Sequence, residues 1–382
     1  MIREKLLLNI IMGGLTIALV GGTICAQPAV VCPNTAQPLA ERWGWAGREA
    51  GERGWNRGYW VGYSIVKSMG ENWFIGSCFT DSRRNRPSLC EMLGLSPCPT
   101  EREVMGPNHN LTMTGCLTVV NDRAGNVCKI PKEVGILFHL DGKKSREYFH
   151  DIKISNLSLH VNLENEPVLW LGTADDSESV LFLQSKYTRE ESEDVQASIV
   201  SAVGIHQSSE LVTSFLIRVV NGEDRTEVRK NAVFWLGQTN SDPALKLLLG
   251  IVETDRSEDV RGEAVFAISE MEENKGEDQL ISLARTAKDP EVRKKAMFWL
   301  GQKASEKSTA ALENIVNDDK DTEIQKSAVF ALTQLPDEEG LDALIKIAET
   351  HQNPRVRKEA IFWLGETGND RALNALIEIL RK

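Results

Sequence analysis

The sequence predicts a mainly α-helical solenoid of stacked helix pairs, preceded by a small disulfide-linked β-rich domain. Three observations carry this: a motif that returns at a constant interval through the C-terminal part, six cysteines gathered between residues 32 and 128, and aromatic, β-branched runs among those cysteines. The chain divides into a leader at 1–26, a linker at 27–41, a cysteine-containing β-rich domain at 42–158 and a solenoid at 159–382. At 382 residues it is long for one core, so more than one unit is expected.

The repeat decides the fold class. VRKNAVFWLG begins at Val228, VRGEAVFAIS at Val260, VRKKAMFWLG at Val292, IQKSAVFALT at Ile324 and VRKEAIFWLG at Val356. Worn copies precede them at Val195–Gly204 and, for the motif's tail alone, at Val168–Gly172, making about seven. A second periodic stretch carries Leu248, Leu280, Leu312, Leu344 and Leu376, followed three and four residues later by further apolar columns. These spacings put each stretch on one helical face. The unit is therefore two helices and two turns, and neither helix buries its apolar face without a neighbouring copy.

The punctuation agrees. Asp289-Pro290 and Asn353-Pro354 read as an N-cap followed by proline at the first helical position. Gly237, Gly301 and Gly365 fall where the motif helix is expected to stop. A two-repeat period lies on top, since one column reads Trp170, Ala202, Trp235, Ala267, Trp299, Ala331, Trp363. The alternation suggests that the indole of one repeat fills space left by the alanine of the next. A row of aromatic anchors is the other reading of it.

The run DPEVRKKAMFWLG from Asp289 resembles HEAT repeats, in particular the short bacterial HEAT-like class first associated with phycobilisome lyases. The resemblance implies a HEAT-type α-α superhelical solenoid of about seven 32-residue repeats whose V-R helix lines the concave side. On that surface Arg229, Lys230, Arg261, Arg293, Lys294, Lys326, Arg357 and Lys358 would form a basic ladder, broken at Gly262 and Gln325. The ladder either pairs with acidic neighbours and caps carbonyls of the adjacent repeat, or docks an acidic or extended peptide. Deoxyhypusine hydroxylase shares the repeat type and resembles a solenoid that holds iron through paired His-Glu motifs. This chain has no His-Glu dipeptide, and its solenoid histidines, His206 and His351, do not recur by repeat. Hydroxylase activity is therefore not transferred, and the phycobilin lyases present no short motif matched here, so an enzyme of HEAT-like lyase or hydroxylase type stands only as the lesser alternative and no cofactor or metal is assigned.

The first third reads differently. Arg3 and Lys5 precede an apolar stretch from Leu6 to Val20, and Ile24-Cys25-Ala26 follows small residues. This is the pattern of an export signal cleaved after Ala26. It places the protein in the periplasm, with an uncleaved inner-membrane anchor or a lipid on Cys25 as alternatives. Cys32, Cys78, Cys90, Cys98, Cys116 and Cys128 then suggest up to three disulfides, with free thiols or a metal as lesser readings. Trp43, Trp45, Trp55 and Trp60 cluster among Gly and Arg, either as filler of a small core or as a carbohydrate- or peptide-binding platform. Strands are predicted in WVGYSIV, NWFIGSCFT, LTMTGCLTVV, VGILFHL and IKISNLSLHV, with a hairpin turn at Asp141-Gly142.

Charge narrows the partners. Residues 161–382 hold 41 Asp and Glu against 26 Lys and Arg, so the solenoid repels a phosphate backbone. The expectation is a non-enzymatic protein-binding scaffold of the bacterial cell envelope. It has a protein partner, no nucleic acid, and a membrane association only through an uncleaved signal or lipid.

Overall fold

The computed structural model describes residues 29–70, 74–76, 88–95, 118–120, 129–142, 148–159, 161–188, 191–222, 225–271, 273–303, 305–335 and 339–381. The expected leader, Cys25, Cys78, Cys98, Cys116, Cys128, His160 and Asn110-Leu111-Thr112, which fits a glycosylation acceptor by sequence, lie outside them.

The N-terminal part is built on a seven-stranded sheet of order β1-β7-β2-β5-β6-β3-β4. Its strands are β1 (Val30–Val31), β2 (Gly58–Gly70), β3 (Phe74–Gly76), β4 (Thr118–Val120), β5 (Lys129–Asp141), β6 (Phe149–Asn156) and β7 (Val168–Thr173). The predicted strands match β2 to β6. From residue 29 the expected linker is ordered: it supplies β1, parallel to β7, and the start of α1 (Leu39–Glu52). The β2–β5 pair runs antiparallel from Gly58↔Asp141 to Gly70↔Lys129, without a slip. Alternation then sorts its side chains. Tyr59, Val61, Tyr63, Ile65, Ile136, Phe138 and Leu140 face a core shared with the helices. Trp60 and Leu137 face a second cluster with the short α2 (Leu89–Met92), Leu157 and Leu163.

Val168–Gly172 reads in sequence as the end of a motif helix and is instead the strand β7. A five-residue apolar run is equally compatible with a helix end and with a parallel strand buried on both faces. Here Leu169 and Leu171 enter one core and Val168 and Trp170 the other. Arg42, 1% exposed, clamps this strand from α1, donating from Nη1 to Leu171 O at 2.6 Å and Thr173 O at 3.0 Å. Asn156, which fits a glycosylation acceptor by sequence, is 1% exposed and spends its amide on Ile75 N and Glu133 O.

After α3 (Asp176–Lys186) come six helix pairs. The motif helices are α4 (Glu193–Gly204), α6 (Thr226–Thr239), α8 (Glu258–Ser269), α10 (Pro290–Lys303), α12 (Thr322–Leu332) and α14 (Pro354–Glu366). The second helices are α5 (Glu210–Gly222), α7 (Asp242–Thr254), α9 (Glu273–Thr286), α11 (Glu306–Asp318), α13 (Glu339–Thr350) and α15 (Asp370–Arg381). The cap expected at Asn353 forms, and Ser257 and Asp321 cap at the same position in other copies: each accepts a first-turn backbone N–H. The expected seventh copy is a half repeat, in which α3 occupies the second-helix place and the sheet takes that of the motif helix. Strand β6 packs directly on α4. The sheet thus seals an end that would otherwise leave the array's apolar flank in water.

Each motif helix lies along the next one, whereas successive second helices touch sparingly. The closer row is the inner one, so the motif helices line the concave side. The glycines serve this row. A Cβ on Gly237 would stand 2.5 Å from Ala267 O, and one on Gly301 2.4 Å from Ala331 O. Both lie within the final turn of their helices, so they permit close helix approach and do not terminate the helix. Asn240, in the left-handed region at φ 51°, ends α6.

A buried chain of hydroxyls ties the two parts. Tyr63 on β2 donates to Ser179 on α3 at 2.8 Å, and Ser179 donates to His206 Nε2 at 2.8 Å. His206 Nδ1 donates to Val203 O at 3.2 Å, which fixes the tautomer. Lys67 on β2 also bonds Ile205 O. Burial depresses His206 to about 4 from 6.5, with Asp176 opposing the shift. The folded joint therefore resists a proton that the unfolded chain accepts, and stability falls as pH drops from about 6.5 to 4. At about 1.4 kcal/mol per unit this amounts to about 3 kcal/mol. Urea unfolding at pH 7 and pH 4.5 is expected to lose about 2 kcal/mol more in the wild type than in His206→Gln, and an equal loss in both would refute the linkage.

Candidate functional site

The basic ladder, placed by sequence on the concave face, separates into two rows with different tasks. The arginines point into the joints between repeats. Arg229 Nε donates to Val220 O at 3.2 Å, the orphan carbonyl at the end of the preceding second helix, and its Nη2 pairs with Asp255. Arg293 repeats this with Ala284 O at 2.8 Å and Asp319. Arg261 bonds Asp255 O and Asp289, each at 2.9 Å. Arg357 bonds His351 O and Gln352 O. Gln325 keeps the carbonyl contact, to Val316 O at 2.9 Å, without the charge. The acidic partners are the aspartates between helix pairs, not the motif-helix residues Glu227, Asp259, Glu291 and Glu323. Burial raises the Asp255 and Asp319 carboxyls, but the bonds from Arg229 and Arg293 outweigh it and hold both below the usual range.

The lysines stay at the surface. Lys230 pairs with Glu227 at 3.1 Å and Lys294 with Glu291 at 2.8 Å. Lys326 pairs with Glu323 and Glu359, both at 3.4 Å. Lys358 is exposed. One turn further along the same helices stand Phe234, Phe298, Phe330 and Phe362, with Phe266 in the copy that has Gly262 for lysine. Phe362 is 54% exposed, and the other four are half-buried. The sequence pattern widens the core stripe to include Phe234. The column instead marks the border between core and water, which the recurrence of Phe beside Lys in successive copies already encodes.

The alternating tryptophans complete this surface. Trp235 is 5% exposed because its ring lies over Gly204 of the preceding repeat, where a Cβ would come within 2.2 Å of the indole. The indole thus leans on the preceding alanine-bearing copy, not the following one. Ser269 and Thr333 stand at the Gly204 position in later copies, and there Trp299 and Trp363 sit higher and half-buried. Each joins two phenylalanines. Trp299 lies 4.7 Å from Phe266 and 5.1 Å from Phe298, and Trp363 lies 5.0 Å from Phe330 and 5.1 Å from Phe362. Trp363 also donates to Glu359 at 3.0 Å.

A family model of HEAT repeats matches residues 180–269, 247–329, 277–344 and 309–382. The chain belongs to the HEAT repeat family. The match covers the six helix pairs and leaves the sheet outside. Among solved structures, human deoxyhypusine hydroxylase in complex with glycerol is similar at 18% identity and a TM-score of 0.24, over 53% of this HEAT repeat chain and 77% of that one. No curated protein matches.

The N-terminal candidates are mostly interior. Trp43 and Trp60 are 9% and 1% exposed, while Trp45 and Trp55 are half-buried against the helix–sheet core. Trp43 meets Phe138 edge-on at 5.1 Å, and Trp60 donates to Leu163 O at 3.2 Å. Buried rings in different packing contacts do not form an open platform. Cys32 is a free, buried thiol, which corrects the disulfide expectation for that residue. Cys90 is disulfide-bonded. His139 stacks on Trp60 at 4.4 Å and bonds Glu166, with His150 beside it at 4.2 Å. Among the described residues no group of three or more His, Cys, Asp or Glu is placed to hold a metal ion, and no helix is long and apolar enough to cross a membrane.

Arg293 and Asp319 are only 14% and 16% exposed, so truncating the arginine takes its donor from Ala284 O and leaves a partly enclosed carboxylate with backbone N–H donors but no cation. Arg293→Ala is expected to cost about 2–3 kcal/mol in urea unfolding, whereas Lys358→Ala changes stability by less than about 0.5 kcal/mol. Equal, small effects would show that the ladder has no structural task.

Proposed function

We propose that this HEAT repeat chain is a non-enzymatic scaffold of the cell envelope that binds a protein partner on the concave face of its solenoid. HEAT repeats generally mediate protein interactions, which supports the class. The observation that carries the reading is the lysine-and-aromatic face of the motif helices. Half-exposed Phe and Trp rings recur along it, flanked by solvated lysines, while the arginines are consumed in the joints. Large, stiff aromatic groups with few rotamers to immobilise are what a binding surface presents. The acidic excess of the array disfavours nucleic acid as the partner. Export to the periplasm rests on the charged, then apolar, leader sequence, and the oxidised state of Cys90 accords with it. We read the sheet as a disulfide-linked cap that sets where the array begins.

The test is a crosslinked pull-down from periplasmic extract with the full chain. Phe298→Ser with Phe330→Ser is expected to lose the captured partner at least tenfold. Lys246→Glu with Lys346→Glu, on exposed positions of the second helices, is expected to retain it. Loss in the second variant with retention in the first would move the docking surface to the convex side and reject the proposal.

A further inference from the structure

The concave face is not a uniform row. Trp299 with Phe266 and Phe298 forms one aromatic triad, and Trp363 with Phe330 and Phe362 forms another. Their ring separations nearly coincide, 4.7 and 5.1 Å against 5.0 and 5.1 Å. Both single-helix pairs meet at 77°. The triads are two repeats apart, since only the tryptophan-bearing copies complete one. The corresponding place nearest the sheet is closed. There Ser201 stands where the other alanine-bearing copies have Phe266 and Phe330, its hydroxyl bonds Asn231, and Gly204 lets Trp235 sink into the core.

The ground between the triads carries lysines, each of Lys294 and Lys326 beside glutamates of its own or the next helix. Lys294, Lys326 and Lys358 lie one turn before Phe298, Phe330 and Phe362 on the same helices, so they stand beside both triads. Lys294 and Lys326 keep their charge, their pKa values raised first by the hydrogen bonds to Glu291 and Glu323. Those glutamates are 50% and 67% exposed, so these two pairs are wet, weak and exchangeable for carboxylates of a partner, whereas Glu359, 25% exposed and bonded to Trp363, stays with Lys326.

Resting on the scaffold reading above, we propose that the two triads are paired subsites for one extended, acidic protein segment carrying two apolar side chains about six residues apart. The spacing follows from geometry. Packed helices stand about 8–10 Å apart, so two repeats separate the subsites by about 16–20 Å. An extended chain rising about 3.3 Å per residue crosses that distance in about five or six residues. Each anchor packs on the exposed edges of an indole and two phenyl rings, and carboxylates between the anchors meet Lys294, Lys326 and Lys358. Two weak subsites on one ligand act together through the high effective concentration of the second anchor.

The probe is a fluorescein-labelled synthetic peptide of Ser and Glu with two Phe residues separated by five positions, read by fluorescence anisotropy against the full chain. It is expected to bind at least tenfold tighter than peptides with one Phe, or with two Phe separated by one position. Exchanging its Glu for Lys is expected to cost a further tenfold. Trp299→Ala or Trp363→Ala is expected to reduce the two-anchor peptide to one-anchor affinity while leaving the one-anchor peptide within about twofold. Because these rings are half-buried, thermal melting accompanies each variant, and Trp299→Phe and Trp363→Phe serve where alanine disturbs folding. A gain-of-site variant, Ser201→Phe with Gly204→Ser, is expected to raise Trp235 and let a three-anchor peptide bind at least fivefold tighter than to the wild type. Affinity indifferent to anchor spacing, or unchanged by either tryptophan substitution, overturns the paired subsites. If the captured partner still depends on Phe298 and Phe330 in that event, the scaffold reading stands without them. If it does not, both fall.

Discussion

A helix pair with apolar residues on both flanks has no stable existence as a single unit, and each flank must be covered by something of matching shape. Along this chain the cover is another copy of the same pair, which is why Val228, Ala232, Leu236 and their counterparts in later copies are almost free of water. At the N-terminal end no copy precedes the first, and a sheet does the covering. Its inner face, α1 and α3 continue the solenoid core without a break, and the Tyr63–Ser179–His206 chain fixes how one is set on the other. Leu380 is 87% exposed, whereas its counterparts Val252, Ala284, Val316 and Ala348 are at most 3% exposed.

The same constraint divides labour among charged groups that look alike in sequence. Stacking brings the end of one second helix beside the start of the next motif helix, so carbonyls that ordinarily face water are partly enclosed. A planar guanidinium can donate to such a carbonyl and still reach a carboxylate across the joint, which a single ammonium at that place does not. Arginine therefore occupies the joint and lysine, one residue later and turned by about 100°, occupies the open face. The aromatic surface follows the same economy of space. A ring goes inside where glycine makes room and stays near the surface where serine or threonine has filled it.

Much of the solenoid is legible because the sequence repeats itself. The constant interval from Val228 to Val260 to Val292 needs no knowledge of side-chain contacts to imply stacked helix pairs, and the cap at Asn353 forms as written. The half repeat is hidden because five apolar residues at Val168–Gly172 carry no period of their own, and their strand identity depends on β1 and β2, which are remote in sequence. Gly237 and Gly301 look like helix stops because stopping is a local task. Their actual task is set by the carbonyls of Ala267 and Ala331, in the following copy. Of the site, the residue types and their recurrence are visible in the sequence. Which of two adjacent basic columns faces outward is not, since a helix start resting on two neighbours has no obvious solvent side.

The glycine contacts make the two-copy period a mechanical unit. Gly237 and Gly301 admit the backbone of an alanine-bearing helix on their C-terminal side, and the preceding alanine-bearing helix supports the indole on the other. Excision of a single copy would bring two like surfaces together, indole support missing on one flank and glycine unmatched on the other. Excision of two adjacent copies would restore complementary faces. Duplication or loss would therefore preserve these contacts only in twos, so the contact unit is a four-helix module of which the nominal repeat is half.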